Sequence, residues 1–158
     1  MDYRWLIGIA FVVMVSRLVY MWSAGARARK AFRRGVEAME ANALRDAETA
    51  FRQVVRIEPI WGVAYRLLGR VLSDLGELFE AEKQFRTAIT LEPRNSDAYA
   101  DLGYFLEVKM TGRREDAIGA LLKAVELAPR LRERLEAVPE LAGLVNDARF
   151  RKGAIAED

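Results

Sequence analysis

Glycine recurs at a fixed interval of 34 residues along the middle of this chain, and no other feature constrains the fold as strongly. The glycines are Gly35, Gly69 and Gly103, and Pro59 and Pro93 repeat at the same interval. An alanine and a phenylalanine also recur with this period, and a third unit continues it after an insertion of two residues. Because several residue types agree on one period, the chain is expected to consist of repeated structural units.

Each unit contains two segments with the periodicity of an amphipathic helix. In the second unit, the first segment covers residues 62–75 and ends at Gly76, which breaks the pattern. The second segment covers residues 78–91 and ends before Pro93. We expect the apolar face of this second helix to consist of Phe79, Ala81, Phe85, Ala88 and Leu91.

Two small residues of the second unit, Gly69 and Ala81, are expected where its two antiparallel helices approach closely. Larger side chains such as Phe85 then fill the space beside them. A single pair of helices cannot bury its apolar faces alone, so the pairs are predicted to stack on one another.

The recurring residues resemble the tetratricopeptide repeat (TPR) family, over roughly residues 28–131. In the second unit the resemblance rests on Tyr65, Leu68, Gly69, Leu72, Ala81, Phe85, Ala88 and Pro93. In the third unit it rests on Tyr99, Leu102, Gly103, Leu106, Ala117, Leu121, Ala124 and Pro129. The first unit is looser and keeps Gly35, Ala47, Phe51 and Pro59.

The fold predicted in this way is all-α, with an N-terminal transmembrane helix, a three-repeat TPR solenoid and a C-terminal capping helix. Leu131, Leu135 and Val138 are expected to cover the open end of the third repeat. The predicted domains are a transmembrane anchor at 1–24, a basic linker at 25–34 that merges into the first repeat helix, repeats at 28–61, 62–95 and 96–131, and a capping helix with its tail at 132–158.

The anchor is predicted from an apolar segment that runs from Trp5 to Trp22 and carries one charge, Arg17. About 20 such residues cross the hydrocarbon core of a bilayer, and aromatic residues favour its two interfaces. Two explanations of Arg17 remain open. Its side chain either extends to the nearer interface or pairs with an acid on a partner's membrane helix.

Five basic residues follow the apolar segment with no acid among them. Positive charge is retained on the cytoplasmic side of a membrane, so the repeats are predicted to be cytoplasmic, most simply at a bacterial inner membrane. The same residues are expected to contact anionic lipid. They are Arg27, Arg29, Lys30, Arg33 and Arg34.

Two alternatives for the N-terminal segment stay open. The first is a signal peptide that is cleaved at the A-x-A pattern of residues 24–26. The second is a core helix of a soluble fold, which would have to be buried on every side.

Composition argues against most enzymes. The chain has no Cys and no His, which excludes Cys/His metal sites, thiol nucleophiles and histidine-based catalytic triads. It has no glycine-rich phosphate loop. The net charge is only +2, from 25 basic and 23 acidic residues, and the one basic cluster adjoins the apolar segment. We therefore expect no catalytic activity, no cofactor or metal, no small-molecule substrate and no nucleic-acid partner.

The TPR resemblance implies a concave groove, lined by the first helix of each repeat, in which peptides of a protein partner bind. Phe32 and Tyr104 are the expected anchors. The set of Asn and Lys residues with which some TPR domains hold a chaperone's C-terminal carboxylate is absent. When the groove positions of the TPR family are transferred to this sequence one by one, the implied groove residues are Phe32, Val36, Arg66, Arg70, Asp97 and Tyr104.

Two questions about the groove remain open. Arg66 and Arg70 lie one helical turn apart, so they could grip an acidic group of a partner. Alternatively, they are merely solvated or pair with Asp97 and Asp101 on the next helix. Trp61, in the link between the first two units, is either a packing residue or an anchor.

The function predicted from these features is a membrane-tethered scaffold or assembly factor. It would bind a protein partner through the groove, and the membrane helix would add further contacts. The alternative is a periplasmic or secreted TPR chaperone for an envelope complex, which requires cleavage of the N-terminal segment or a reversed topology.

Overall fold

The computed structural model describes residues 4–148 and 150, and within this part the side chains of residues 4–8, 18 and 20–22 are not described. The described residues form α-helices joined by short turns, with one 3-10 turn and no strand among them. The chain divides into two compact units, Met1–Pro59 and Ile60–Asp158. The all-α prediction is confirmed.

The first unit is a pair of helices, α1 at Arg4–Glu40 and α2 at Leu44–Ile57. Helix α1 continues without a break from the apolar segment into the first repeat. Its buried residues Ala28, Ala31 and Gly35 share one face, which packs against α2. The buried side of α2 supplies Ala47, Ala50, Phe51 and Val54.

The second unit contains two helical hairpins and a C-terminal segment. Helix α3 packs against α4, α5 packs against α6, and α5 also contacts both helices of the preceding hairpin. The core therefore runs from one hairpin into the next, as stacking of repeats requires. The helices are α3 at Gly62–Asp74, α4 at Leu78–Leu91, α5 at Ser96–Lys109 and α6 at Arg114–Leu127.

The periodic glycines lie where the two helices of each hairpin cross. A Cβ atom added to Gly69 would lie 2.9 Å from the Phe85 ring, which is closer than carbon atoms can approach. The same addition at Gly103 would meet the Leu121 side chain at 2.6 Å. Only a residue without a side chain allows this approach, which explains why glycine recurs together with a large apolar residue.

The turns inside the three hairpins share one backbone conformation. Asn42, Gly76 and Gly112 have positive φ angles of 54°, 80° and 81°. They are separated by 34 and 36 residues, so the turn repeats with the helices. Glycine adopts this left-handed conformation freely, and asparagine tolerates it better than most residues.

One prediction about α4 was wrong. Phe79 is not part of the apolar face, because its side chain is 92% exposed, whereas Ala81, Phe85 and Ala88 are buried. Two residues along an α-helix turn the side chain by about 200°, so Phe79 lies nearly opposite Ala81. Leu91 is half-buried at the edge of the face.

The chain after α6 forms a compact C-terminal segment, and its buried side chains include Leu131, Leu135, Leu141 and Leu144. Phe150 is also buried, with the Arg132 guanidinium 4.8 Å from its ring centre. The segment consists of α7 at Leu131–Glu136, a 3-10 turn at Pro139–Leu141 and α8 at Ala142–Val145.

An ion-pair network connects α4 to the start of α6. The Glu82 carboxylate accepts a hydrogen bond of 2.7 Å from Arg86 and one of 3.3 Å from Arg113. Arg113 also donates to Asp116 at 2.6 Å. Burial acts to raise the pKa of Glu82, but the hydrogen bonds from the two arginines outweigh it and hold the pKa below its ordinary 4.5.

Candidate functional site

A cavity of about 400 Å³ opens on the second unit between the first helices of its two hairpins and the C-terminal segment. Most of its exposed lining is polar, and its apolar wall comes largely from the C-terminal segment. The cavity is lined by Arg66 and Arg70 of α3, Asp97, Ala100, Asp101 and Tyr104 of α5, and Leu131, Arg134, Leu135, Val138 and Leu141 of the C-terminal segment.

Arg66 and Asp101 form a largely buried ion pair across the floor of this cavity. Arg66 Nη1 donates to Asp101 Oδ2 at 2.8 Å, and the two side chains are only 16% and 25% exposed. Burial raises the pKa of Asp101 above its ordinary 3.8, although Arg66 and Arg70 act in the opposite direction. Arg66 Nε is buried and has no hydrogen-bond acceptor among the described residues.

Arg70 and Tyr104 form the more accessible part of the cavity. The Arg70 side chain is exposed, and Tyr104 is 37% exposed. Burial of its ring, together with the negative charges of Glu140 and Asp74, raises the pKa of Tyr104 above 10.0. At neutral pH its hydroxyl is therefore protonated and can donate a hydrogen bond.

Arg66, Arg70, Asp97 and Tyr104 were all predicted as groove residues, and the structure brings these four together in one cavity. For Arg66, the structure shows the alternative in which it pairs with an aspartate of the next helix, Asp101.

The C-terminal side of the cavity was not foreseen. Leu131, Leu135 and Val138 were expected to cover the end of the third repeat, and they also line the groove. Arg134 of α7 joins them there, and the 3-10 turn that follows contacts α5. The apolar spacing of this segment was visible in the sequence, but the direction in which it folds was not.

Phe32 and Val36 were also predicted to line the groove, and they belong to the first unit. Phe32 is half-buried and packs edge-on against Phe51, with ring centres 5.7 Å apart and an angle of 72°. Val36 is half-buried. The core contact of Phe32 gives this residue a packing role within its own unit.

The predicted membrane residues lie only partly within the described structure. The side chains of Trp5 and Trp22 lie outside the described residues, and Arg17 is exposed. None of the helices combines the length and the apolar character that a bilayer crossing requires, as far as the described residues go. Large exposed apolar side chains nevertheless follow one another on α1: Ile9, Phe11, Val12, Val13, Met14, Val15 and Val19.

The basic residues after this segment are all exposed on α1: Arg27, Arg29, Lys30, Arg33 and Arg34. Several of them make contacts within the part of the chain that the structure describes. Arg33 lies 3.8 Å from Glu37, and Arg34 donates to the Gln53 side chain at 3.1 Å. Such exposed contacts contribute little stability and leave the cations accessible to other ligands.

No group of three or more potential metal ligands occurs within the described part of the chain. A second, shallow hollow runs along α4 from Phe79 to Leu91 and is lined mainly by charged residues and threonines.

The stacked hairpins, with glycine at each helix crossing and a polar cavity on one face, define a repeat protein of the TPR class. The family model for the tetratricopeptide repeat matches residues 63–95, which contain α3 and α4. The chain thus contains a tetratricopeptide repeat, and the predicted family resemblance is confirmed.

Solved structures support the same assignment. A mutant O-GlcNAc transferase from Thermobaculum terrenum is 25% identical, with a TM-score of 0.69 over 79% of this chain. This chain spans only 23% of that enzyme.

Two further structures share the fold. MamA is 22% identical, with a TM-score of 0.65, over 81% of this chain and 72% of its own. The TPR2B domain of yeast Sti1, solved as a complex with pHsp70, is 17% identical, with a TM-score of 0.54, over 82% of this chain and 91% of its own. No curated protein matches the sequence significantly.

Proposed function

We propose that this protein is a membrane-tethered scaffold or assembly factor that binds a protein partner in the cavity between α3, α5 and the C-terminal segment. The observation that carries the proposal is the cavity itself, which combines exposed Arg70 and Tyr104 with an apolar wall. Binding sites of this kind pair apolar surface with a few polar groups that fix orientation. The scaffold has no catalytic role of its own.

The fold supports a partner that is a protein. The Sti1 domain, which shares this fold, was solved in a complex with pHsp70. A cavity of about 400 Å³ that is open to solvent has room for a few side chains of an extended or helical peptide. The proposed ligand is therefore a short segment of a larger partner.

The proposed tether is the N-terminal part of α1. Exposed apolar side chains are costly in water, and a run of seven between Ile9 and Val19 needs a covering environment. The acyl chains of a bilayer would supply it, and the exposed cations that follow would contact anionic headgroups. In this arrangement the repeats face the cytoplasm, and Arg17 extends to the nearer interface.

Site-specific crosslinking tests the groove. A photoreactive amino acid replaces Tyr104 in the full chain, and as the control it replaces Glu126, which is exposed on α6 outside the cavity. We expect a discrete adduct with a partner protein from position 104 and none from position 126. Equal labelling from both positions, or no adduct from position 104, would contradict a groove-bound partner.

Fractionation tests the tether. Val12→Asp places a charge in the middle of the apolar segment, where it disfavours insertion by about 2.5–3.5 kcal/mol. We expect the unaltered chain to stay with membranes after alkaline washing, and the variant to be released at least in part. The control is Val108→Asp on α5, where the side chain is 37% exposed. Recovery of the unaltered chain in the soluble fraction would refute the tether.

A reporter fused to the C-terminus, combined with mass analysis of the mature N-terminus, tests topology and processing. Reporter activity in the cytoplasm and an intact N-terminal segment support the proposed arrangement. Reporter activity outside the cytoplasm, or cleavage near residues 24–26, would replace it with the periplasmic or secreted chaperone.

A further inference from the structure

The residues that line the cavity of the second unit carry an excess of positive charge, while two further acids, Asp74 and Glu140, act on Tyr104 from outside this lining. Three arginines line the cavity against two aspartates, so one positive charge remains. The Arg66–Asp101 ion pair uses one charge of each sign. Arg70 and Arg134 are thus left with Asp97 as the one remaining acid of the lining.

Neither of these two arginines forms an ion pair with an acid, although Arg70 acts electrostatically on Asp101. Arg70 and Arg134 are exposed, and neither makes an ion pair or hydrogen bond within residues 4–148. They come from different elements, α3 and α7, yet they line one cavity of about 400 Å³. Like charges that share a site repel each other, and an anion placed with them removes the repulsion.

The cavity also contains hydrogen-bond donors that have no acceptor among the described residues. Arg66 Nε is a buried donor without a partner among the described residues. The guanidinium groups of Arg70 and Arg134 add further donors, and the hydroxyl of Tyr104 is protonated at neutral pH. A carboxylate fits such a site well, because it is planar and accepts charge-assisted hydrogen bonds from arginine.

We propose that the partner segment binds through a single carboxylate at Arg70 and Arg134, with an aliphatic side chain beside it on the wall formed by α7 and the 3-10 turn. This inference rests on the proposed function, because it names the chemistry that the groove recognises. Arg134 lies outside the repeats, so the site exists only where the C-terminal segment folds back onto the groove.

Two acids restrict the ligand to one carboxylate. Asp74 and Glu140 lie near enough to Tyr104 to act on its pKa. A run of acidic residues would bring further carboxylates against them. The site therefore fits an isolated acidic group, supplied by an Asp or Glu side chain or by a chain terminus, rather than an acidic tract.

Peptide selection followed by binding measurements tests the inference on the full chain in a mild detergent. The probe is the tightest-binding peptide from a library of random short peptides. It is synthesised with a fluorescent label in three forms: unaltered, with each Asp or Glu replaced by its amide, and with an amidated C-terminus. The second and third forms distinguish a side-chain carboxylate from a terminal one.

We expect one of the two neutralised peptides to bind about tenfold more weakly, the effect of losing a charge-assisted hydrogen bond. Arg70→Gln and Arg134→Gln should each weaken the unaltered peptide by about the same factor. The same two substitutions should have little further effect on the binding of the neutralised peptide, as expected if the arginines contact its carboxylate directly. Arg94→Gln, an exposed arginine in the turn before α5, is the matched control and should change nothing.

The outcomes separate this inference from the proposed function. If peptides bind and Tyr104→Ala weakens their binding, but neutralising their carboxylates has no effect, binding in the groove is supported and recognition of a carboxylate is refuted. If polyacidic peptides bind tightest, the restriction to one carboxylate is wrong. If no peptide binds, or if Tyr104→Ala has no effect on those that do, the groove itself is refuted and the inference with it.

Discussion

Helix crossings in this protein depend on single glycine residues. We expect Gly69→Ala to lower the free energy of unfolding by about 1–3 kcal/mol, the usual cost of overpacking a core. The reason is that the added Cβ atom would lie 2.9 Å from the ring of Phe85, which is buried in the core. Urea denaturation followed by circular dichroism measures the change.

The control for this substitution is Gly119→Ala. Gly119 lies on α6, and a Cβ atom there meets nothing within 4 Å. Alanine should therefore raise stability by about 0.5–1 kcal/mol through its better helix propensity. Equal effects of the two substitutions would mean that the helix crossing tolerates a methyl group.

The turn of the first hairpin offers a second test at the level of one residue. Asn42 has a φ angle of 54°, where glycine stands in the other two hairpins. Asn42→Ala should lower the free energy of unfolding by about 1 kcal/mol, because a Cβ atom disfavours the left-handed conformation and alanine has no polar side chain to compensate. Asn42→Gly should leave stability unchanged or raise it. Thermal unfolding of both variants measures the difference in stability. An alanine variant as stable as the glycine variant would show that the left-handed conformation at residue 42 does not disfavour alanine.

At the scale of whole elements, one carboxylate links α4 to the start of α6. Because its two arginine partners hold the pKa of Glu82 below 4.5, the group stabilises the fold above that pH. This contribution is lost as the pH falls through the lowered pKa of the folded state. We expect Glu82→Gln to reduce stability at pH 7 and to flatten its decline on the acid side of pH 4.5. Denaturation at a series of pH values measures both effects.

The matched control for this prediction is Glu126→Gln. Glu126 is an exposed acid on α6 that pairs with Lys123 one turn away. The Glu126→Gln substitution should leave the decline of stability on the acid side of pH 4.5 unchanged. An unchanged profile for Glu82→Gln would show that the network does not couple the two hairpins.

The C-terminal segment depends on a buried aromatic ring. Phe150 is fully buried, lies under the Arg132 guanidinium and accepts a hydrogen bond from it through its carbonyl oxygen at 3.2 Å. We expect Phe150→Ala to cost about 3–5 kcal/mol, the range for large core aromatics. Because this segment also lines the groove, peptide binding should weaken as well. Glu133→Ala, at an exposed position on α7, should affect neither stability nor binding.

At the scale of the whole molecule, the basic run after the apolar segment is expected to set the topology. Glutamine in place of all five cations keeps the helix propensity and removes the charge that stays on the cytoplasmic side. We expect a larger fraction of chains to carry a C-terminal reporter outside the cytoplasm. The double variant Lys109→Gln and Lys123→Gln should leave the topology unchanged, since those residues lie far along the chain in the second unit. An unaltered topology in the fivefold variant would overturn this role.

The hairpins could be predicted from sequence because their boundaries carry local chemical signals. Gly76 has the positive φ that ends a helix, and Pro93 cannot continue one. The error at Phe79 arose because a large apolar residue was assigned to the core by its type, while its angle around the helix placed it in solvent.

The candidate site was predictable only in part, because it combines near and distant residues. Arg66 and Asp101 lie 35 residues apart, about one repeat, so the period itself predicts that they are neighbours. Arg134 lies beyond the three repeats, and its place in the cavity depends on how α7 packs against the preceding helices. No local pattern in the sequence reports that packing.

The unbroken course of α1 has a consequence for insertions and deletions in its sequence. Its exposed apolar stretch and the face of Ala28, Ala31 and Gly35 belong to one helix without a hinge. One extra residue between them would rotate the repeat-bearing face by about 100° around the axis and raise it by about 1.5 Å. Seven extra residues would return this face to within about 20° of its original direction and would lengthen α1 by roughly 10 Å. A change in length here therefore changes the direction in which the first unit faces, and insertions close to a whole number of helical turns, such as about seven, eleven or eighteen residues, preserve that direction.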